Sequence, residues 1–245
     1  MDGLEQEKIE DALVLAGGRG ERLRPLTDNV PKPLVEVCGK PLIQWQIEML
    51  RANGVRNVIL SVGYMADKIR EFVGSGERFG MKASYVVEDE PLGTAGPLWL
   101  LAIQNSLPRR SFVMCNGDEL KDINIARMFE AHKKNNALAT IALTEIDDPR
   151  DWGVVRLVDE RVTEFVEKPA TAEQAPSRLI NSGFYILEPG VAEMVPPQKT
   201  SMEREIFPQI AEQNRLYGFP FRGQWFPTDT HERIKLAEDG WTTRF

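Results

Sequence analysis

Four cations stand close together in residues 13–34, LVLAGGRGERLRPLTDNVPKPL: Arg19, Arg22, Arg24 and Lys32. They follow an apolar run and the glycines Gly17, Gly18 and Gly20, and Pro25, Pro31 and Pro33 stiffen what comes after. Glycine lets backbone N–H groups curl tightly around an anion. A stiff loop also holds a lysine in place, with little ordering left to do when a ligand arrives. This is chemistry suited to a polyphosphate. Two common phosphate signatures are absent. Leu23 stands where a dinucleotide fingerprint needs its third glycine, and no GK[ST] closes the loop. Far along the chain, CNGDEL places Asp118 just after an apolar run. A carboxylate there suits Mg²⁺, which takes few protein carboxylates and completes its shell with phosphate oxygens and water. A helix N-cap is the competing reading for Asp118.

These side chains need a frame. Apolar runs at 11–15, 57–62, 83–88 and 111–115 read as strands, and 41–53, 66–73 and 94–104 as helices, the last with Thr94 as N-cap. Strand and helix alternate, which predicts a Rossmann-like α/β fold: a mainly parallel, mixed sheet with helices on both faces. Ligands of such sheets gather beyond the carboxyl ends of the strands. The glycine turn and the Asn116-Gly117-Asp118 turn both follow strands, so they can share one crevice. The second half reads as strands at 139–143, 153–157, 162–166, 183–187 and 216–221. Between and after them come a helix at 201–214, broken near Pro208, and a terminal helix at 231–238. No internal repeat or long linker divides the chain, so residues 1–245 read as a single domain. A first half (about 11–135) binds the nucleotide and a second (about 136–235) closes the site.

Composition excludes several classes. The chain has 245 residues, 42% of them hydrophobic, enough for one substantial core. Its net charge of −7 leaves no broad basic field, so nucleic acid is not an expected partner. The N-terminal MDGLEQEKIED is polar and acidic, unlike a secretory leader, and no apolar run is long enough for a membrane span. Cys38 and Cys115 are far apart and, with His132 and His231, lack zinc spacing. They read as buried reduced thiols of a cytoplasmic protein. A homo-oligomer is compatible with all of this.

The phosphate loop resembles the signature loop of the sugar-1-phosphate nucleotidyltransferases, the nucleotide-diphospho-sugar pyrophosphorylases. AGGRGERLRPLT…PKPL fits GGxGxRLxPLTxxxPKP without a gap, and further matches run to about Thr230. The resemblance implies the nucleotide-diphospho-sugar transferase fold, with an NTP and a sugar 1-phosphate as substrates and Mg²⁺ as cofactor. It implies that the backbone at Ala16, Gly17, Gly18 and Gly20 wraps the nucleotide phosphates. Arg22 would grip the leaving pyrophosphate and Lys32 the attacked phosphate, with Asp118 the catalytic metal ligand. Asn116 and the segment EDEPLGTAG, through Glu88 and Gly93, would face the nucleotide, and a carboxylate there can accept two hydrogen bonds from a guanine edge. DWGVV, FVEKP and NSGFYIL would supply Trp152, Gly153, Glu167, Lys168 and Asn181 to the sugar phosphate, with Trp152 in place of the family's tyrosine.

One motif departs from the pattern. Relatives carry WxDxGT, but here the stretch is WFPTDT: Pro227 takes the usual aspartate position and Asp229 follows two residues later. Cytidylyltransferases carry a similar shifted aspartate, so the resemblance assigns Asp229 as the second metal ligand. The residues alone also allow it to cap the helix near His231. EPLGTAGPL, FVEKP and TSMEREIFPQIAEQNRLYGF are most similar to mannose-1-phosphate guanylyltransferases, implying GTP and mannose 1-phosphate. Other outcomes of the same resemblance are a thymidylyl-, uridylyl- or cytidylyltransferase, a heptose 1-phosphate substrate, or a non-catalytic subunit sensing an NDP-sugar. No hexapeptide repeat follows, so no C-terminal left-handed β-helix is expected.

Overall fold

The apolar run ahead of the glycine turn becomes a strand buried on both faces. In Asp11–Leu15 (β1), Ala12 and Val14 join one core and Leu13 the other, and none of the three is exposed to solvent. Burial on two sides is what a central parallel strand needs. A computed structural model of the chain describes residues 7–242. Most of the polar stretch read as lacking a leader, and the chain end at Phe245, lie outside the described residues.

After β1, a small ladder of Glu36–Val37 (β2) and Lys40–Pro41 (β3) leads into Leu42–Ala52 (α1). Asn57–Val62 (β4), Ala66–Val73 (α2), Lys82–Val87 (β5), Gly96–Ile103 (α3) and Phe112–Asn116 (β6) complete the alternating half. Glu119–Lys121 (β7) and Ile125–Lys134 (α4) follow. The second half contains Ala139–Glu145 (β8), Gly153–Val158 (β9), Arg161–Glu167 (β10) and Leu179–Leu187 (β11). A turn of π-helix at Met202–Ile206 then runs into Phe207–Glu212 (α5), and Leu216–Pro220 (β12), Trp225–Pro227 (β13) and His231–Gly240 (α6) end the described chain.

Nine strands form one sheet in the order β5-β4-β1-β6-β11-β8-β12-β10-β9. The first four run parallel. β11 then joins β6 antiparallel, and beyond it only β8 and β12 pair in parallel. α1, α2 and α4 pack on one face through Ile47, Ile69 and Met128, and α3 and α5 on the other through Leu98 and Phe207. The chain builds outward from β1 to β5, then crosses back to place β6 on the other side of β1. That reversal opens a crevice at the carboxyl ends of β1 and β6. The Gly117 N–H donates to the Leu15 carbonyl at 2.9 Å, so the two turns beyond these strands are joined there.

Several elements differ from the sequence reading. α4 is not expected from it, yet the Asn124 side chain accepts from the Arg127 N–H at 2.9 Å, an N-cap. Ile125, Met128, Phe129 and His132 also form its buried stripe. Thr94 does not cap α3. The helix starts two residues later with no side-chain cap, because the Thr94 hydroxyl is engaged elsewhere. β11 begins at Leu179, ahead of the expected 183, and its register against β8 shifts between Asn181 and Tyr185. Gly183, with φ +63°, supplies the left-handed residue such a bulge uses. Both cysteines are free, but Cys38 is only half-buried, while burial pushes the Cys115 thiol up to about 12. Among the described residues no helix is long and apolar enough to cross a membrane.

Candidate active site

The crevice opens into a cleft of about 750 Å³. Its walls hold Gly17, Gly18, Arg22, Lys32, Glu88 and Gly93 from the first half, with Asn116 and Asp118. Trp152, Gly153, Glu167, Lys168, Asn181 and Asp229 come from the second. Ala16 and Gly20, also expected at the nucleotide, do not line this cleft. Ala16 is buried and its N–H donates to the Ser61 carbonyl at 2.8 Å. Gly20 holds φ +64°, and a Cβ there would stand 2.8 Å from the Lys32 Cβ. It is therefore a packing position beneath the lysine, and glycine is needed both for its conformation and for the close approach.

Lys32 is 8% exposed and reaches Asp118, with Nζ 2.5 Å from Oδ2. The pair joins the loop after β1 to the turn after β6, although 86 positions separate the residues. The second aspartate is held in a similar way. Arg22 Nη1 lies 2.6 Å from Asp229 Oδ2, and Arg233 Nη1 donates to both Asp229 oxygens at 2.8 and 3.1 Å. Burial alone would raise the Asp229 carboxyl. The hydrogen bond from Arg233, and the charges of Arg22, Arg233 and Lys32, outweigh it and hold the group below its ordinary range. Asp229 is not the cap of α6: the Thr230 hydroxyl accepts from the Arg233 N–H at 3.2 Å in that role.

The donors fit a hard dication. Asp118 and Asp229 offer oxygen only, and the Thr228 hydroxyl donates to the Asp118 carbonyl at 2.6 Å, tying the two carboxylate loops together. Among the described residues no three His, Cys, Asp or Glu side chains cluster as a metal cage. Two carboxylates beside an open cleft suit Mg²⁺, which fills its shell from substrate phosphate and water.

On the nucleotide side, Glu88 is already engaged. Ser61 Oγ donates to its Oε1 at 2.6 Å and the Leu92 N–H to its Oε2 at 3.0 Å. Each oxygen can accept one further hydrogen bond, and Glu88 lines the cleft. Gly93, at φ +77°, sits so close to the 200–202 segment that a Cβ would be 2.4 Å from the Thr200 carbonyl oxygen.

On the other side, β9 and β10 pair Gly153 with Glu167. A Cβ on Gly153 would stand 2.7 Å from Phe165 Cζ and 2.8 Å from Glu167 Oε2, so the missing side chain leaves room for both the ring and the carboxylate. Burial, and then the charge of Glu203, raise the Glu167 carboxyl, with Lys168 and Arg204 opposing. The Lys168 N–H donates to the Trp152 carbonyl at 3.0 Å. Trp152 meets Trp225 edge to face at 4.9 Å and carries the Arg233 guanidinium 4.6 Å above its ring.

The sequence reading does not reach several residues that build this cleft. Glu119 takes hydrogen bonds from Asn116 Nδ2 at 3.0 Å and Trp225 Nε1 at 2.9 Å. The fully buried Lys121 pairs with Glu119 at 3.1 Å and donates to the Ser182 carbonyl at the β11 bulge. Tyr185, Glu203 and Arg233 complete the set. The helix pattern at 231–238 exposes no sign of Arg233's role, and Lys121 becomes exceptional only once the fold buries it, because a lysine inside a core must be paired.

Residues 11–240 match the nucleotidyl transferase family. A mannose-1-phosphate guanyltransferase of Yarrowia lipolytica is 41% identical over 216 residues, covering 87% of this chain and 59% of that protein. A mannose-1-phosphate guanylyltransferase catalytic subunit beta of Danio rerio is 42% identical over 217 residues with the same coverage. This chain thus spans 59% of the length of the curated relatives it matches. Among solved structures, HddC from Yersinia pseudotuberculosis is 28% identical with a TM-score of 0.80, covering 94% of this chain and 99% of that one. The same protein complexed with GMP-PN gives a TM-score of 0.77 over the same shares.

Proposed function

The chain belongs to the nucleotidyl transferase family, and on that footing we propose that it transfers a nucleotidyl group from an NTP to a sugar 1-phosphate, releasing pyrophosphate. GTP and mannose 1-phosphate are the pair we assign. The observation that carries the reading is the Lys32–Asp118 contact at the sheet's switch point, facing Glu167, Lys168 and Asn181 across one cleft. The names of the Yarrowia and Danio relatives support the pair, and the GMP-PN complex of HddC supports its guanine nucleotide alone.

In this reading the first half, to about residue 135, takes the nucleotide, and 136–235 takes the sugar phosphate. The backbone at Gly17 and Gly18 lies along the triphosphate. Glu88 and Gly93 meet the base or ribose, and Asn116 also faces the nucleotide. Trp152, Gly153, Glu167 and Asn181 hold the sugar, and Lys168 its phosphate. The sugar phosphate is ionised at neutral pH, so its oxygen attacks the α-phosphorus without a general base. The P–O bond to the β-phosphate breaks and pyrophosphate leaves. The protein's work is to hold two anions in line and to neutralise charge as it builds. Lys32 does so at the α-phosphate and Arg22 at the departing pyrophosphate. Asp118 and Asp229 would hold Mg²⁺, which when bound supplies further charge neutralisation to the phosphate oxygens. A cytoplasmic location accompanies this reading, in keeping with two free thiols.

The test is a pyrophosphate-release assay crossing the common NTPs with a panel of sugar 1-phosphates in Mg²⁺. GTP with mannose 1-phosphate should be fastest. A different best pair overturns the substrate assignment. NDP-sugar binding without release from any pair overturns catalysis.

A further inference from the structure

Glu203 faces the cleft, and the chemistry above makes no use of it. It lies in the π-turn at Met202–Ile206, and three hydroxyls converge on its carboxylate. Ser201 Oγ and Thr94 Oγ1 donate to Oε2 at 2.6 and 2.7 Å, and the Tyr185 hydroxyl donates to Oε1 at 3.3 Å. The Tyr185 ring is fully buried against Phe207, centroids 5.1 Å apart, so its hydroxyl is fixed in place. Asn181 Nδ2 donates to that hydroxyl at 2.9 Å, and Asn181 Oδ1 accepts from the Gly183 N–H at 2.9 Å.

The direction of these bonds follows from the carboxylate. An ionised Glu can only accept, so Tyr185 gives its single O–H proton to Glu203 and offers a lone pair to Asn181. Asn181 must then present nitrogen to Tyr185 and oxygen to Gly183. Its amide is fixed from both ends, and one N–H remains for a ligand. Glu167 lines the same cleft, and as an ionised carboxylate it too can only accept.

We propose that Glu203 is a positioning residue that shares with the Gly183 N–H the setting of hydrogen-bond polarity in the sugar subsite, holding Asn181 as a donor by turning the Tyr185 lone pair toward it. The subsite then takes a sugar that accepts from Asn181 at one hydroxyl and donates to Glu167 at another. This rests on Asn181 being a sugar contact, as assigned above. The nucleotide side does not depend on Glu203 in the same way. The Ala95 N–H to Thr200 carbonyl bond at 3.0 Å and the Thr200 N–H to Leu92 carbonyl bond at 2.9 Å hold the Gly93 turn without it.

Calorimetry of the purified chain with GDP, GDP-mannose and each monodeoxy GDP-mannose tests this without requiring turnover. In wild type, removing the hydroxyl that meets Asn181 should weaken binding about tenfold, the worth of one such bond. Asn181→Ala should erase the penalty for that analogue alone. Glu203→Ala should reduce the same penalty without erasing it, since the Gly183 N–H still holds Oδ1, with GDP affinity held within about twofold. Glu203→Gln keeps the size of the side chain and guards against misfolding, and it should show a partial loss because an amide can donate as well as accept. A Glu203→Ala or Glu203→Gln protein that keeps the wild-type deoxy pattern overturns the proposal. So does equal weakening of GDP and GDP-mannose, which would mean a purely structural role. Wild type that binds GDP but shows no preference for any sugar overturns the Asn181 assignment and this proposal with it. Wild type that binds neither GDP nor GDP-mannose overturns the nucleotide reading first.

Discussion

A single methyl group at Gly20 tests whether the phosphate loop is packed around its lysine. Gly20→Ala forces an L-residue into φ +64°, which costs about 1–2 kcal/mol. The new Cβ would stand 2.8 Å from the Lys32 Cβ and 3.0 Å from Thr27 Cγ2. Carbon atoms prefer roughly 3.5–4.0 Å, so the loop must open by about 1 Å. Neither Cβ can rotate away, because both are fixed to backbone. Overpacking of this kind adds about 1–3 kcal/mol. At about 2–4 °C per kcal/mol for a chain of this size, the summed penalty of about 2–5 kcal/mol should lower the melting temperature by roughly 4–20 °C. The same shift carries Nζ away from its 2.5 Å contact with Asp118, and a displacement of about 1 Å at a reacting centre costs about 10²-fold in turnover. Scanning calorimetry and pyrophosphate release read the two effects separately. Gly190→Ala is the control: Gly190 is exposed and its Cβ would meet only Leu138 Cδ1, at 4.0 Å, so neither quantity should move. An unchanged melting temperature for Gly20→Ala refutes the packing argument. A lowered melting temperature with near-wild-type turnover refutes the claim that Gly20 places Lys32 for chemistry.

Lys32→Ala should lower turnover about 10²–10³-fold, the usual loss when a positioned charge is removed from a transition state, and near-normal pyrophosphate release would sink that role. Stripping divalent metal with EDTA should stop release and Mg²⁺ should restore it, while Asp118→Asn should weaken Mn²⁺ binding in a calorimetric titration. Stability should also depend on pH through His132. It is fully buried, with ring nitrogens 2.8 Å from Thr140 Oγ1 and 3.2 Å from Glu188 Oε1. Burial lowers its pKa; Lys133 and Arg215 add to this, and Glu188 opposes it. The unfolded chain therefore binds the proton more readily. Its stabilising contribution is complete above about pH 6.5 and drains away as pH falls from there through the folded value. Urea midpoints at about pH 7.5 and 5.5 should differ in wild type and converge in His132→Gln; equal slopes in both proteins would remove His132 as the source.

The alternating half of the fold is legible in the sequence because its signals are local. Two-sided burial of β1 shows as an unbroken apolar run, and α2 begins and ends where its helical spacing does, at Ala66 and Val73. The same locality misleads at Thr94, a good N-cap by type whose hydroxyl goes to Glu203 instead. α4 carries both cap and stripe, but its polar end, Lys133 to Asn136, blurs the pattern. In the second half only the β9–β10 pair follows chain order; the placing of β11, β8 and β12 does not, because those strands are paired by packing across the sheet.

By itself, the sequence determined the residue types of the cleft and the turns that carry them. Gly17 and Gly18 after β1, Asp118 after β6, and Glu167 and Lys168 at the end of β10 are consequences of neighbours along the chain. Tertiary structure alone decided the partners. Lys32 meets Asp118, Arg22 and Arg233 share Asp229, and Glu203 gathers Thr94 and Tyr185. Hydrogen bonds and ion pairs act over a few ångströms of space and carry no periodicity that a sequence displays. Only the reversal of strand order beside β1 and the bulge at Gly183 bring those groups within reach of one another.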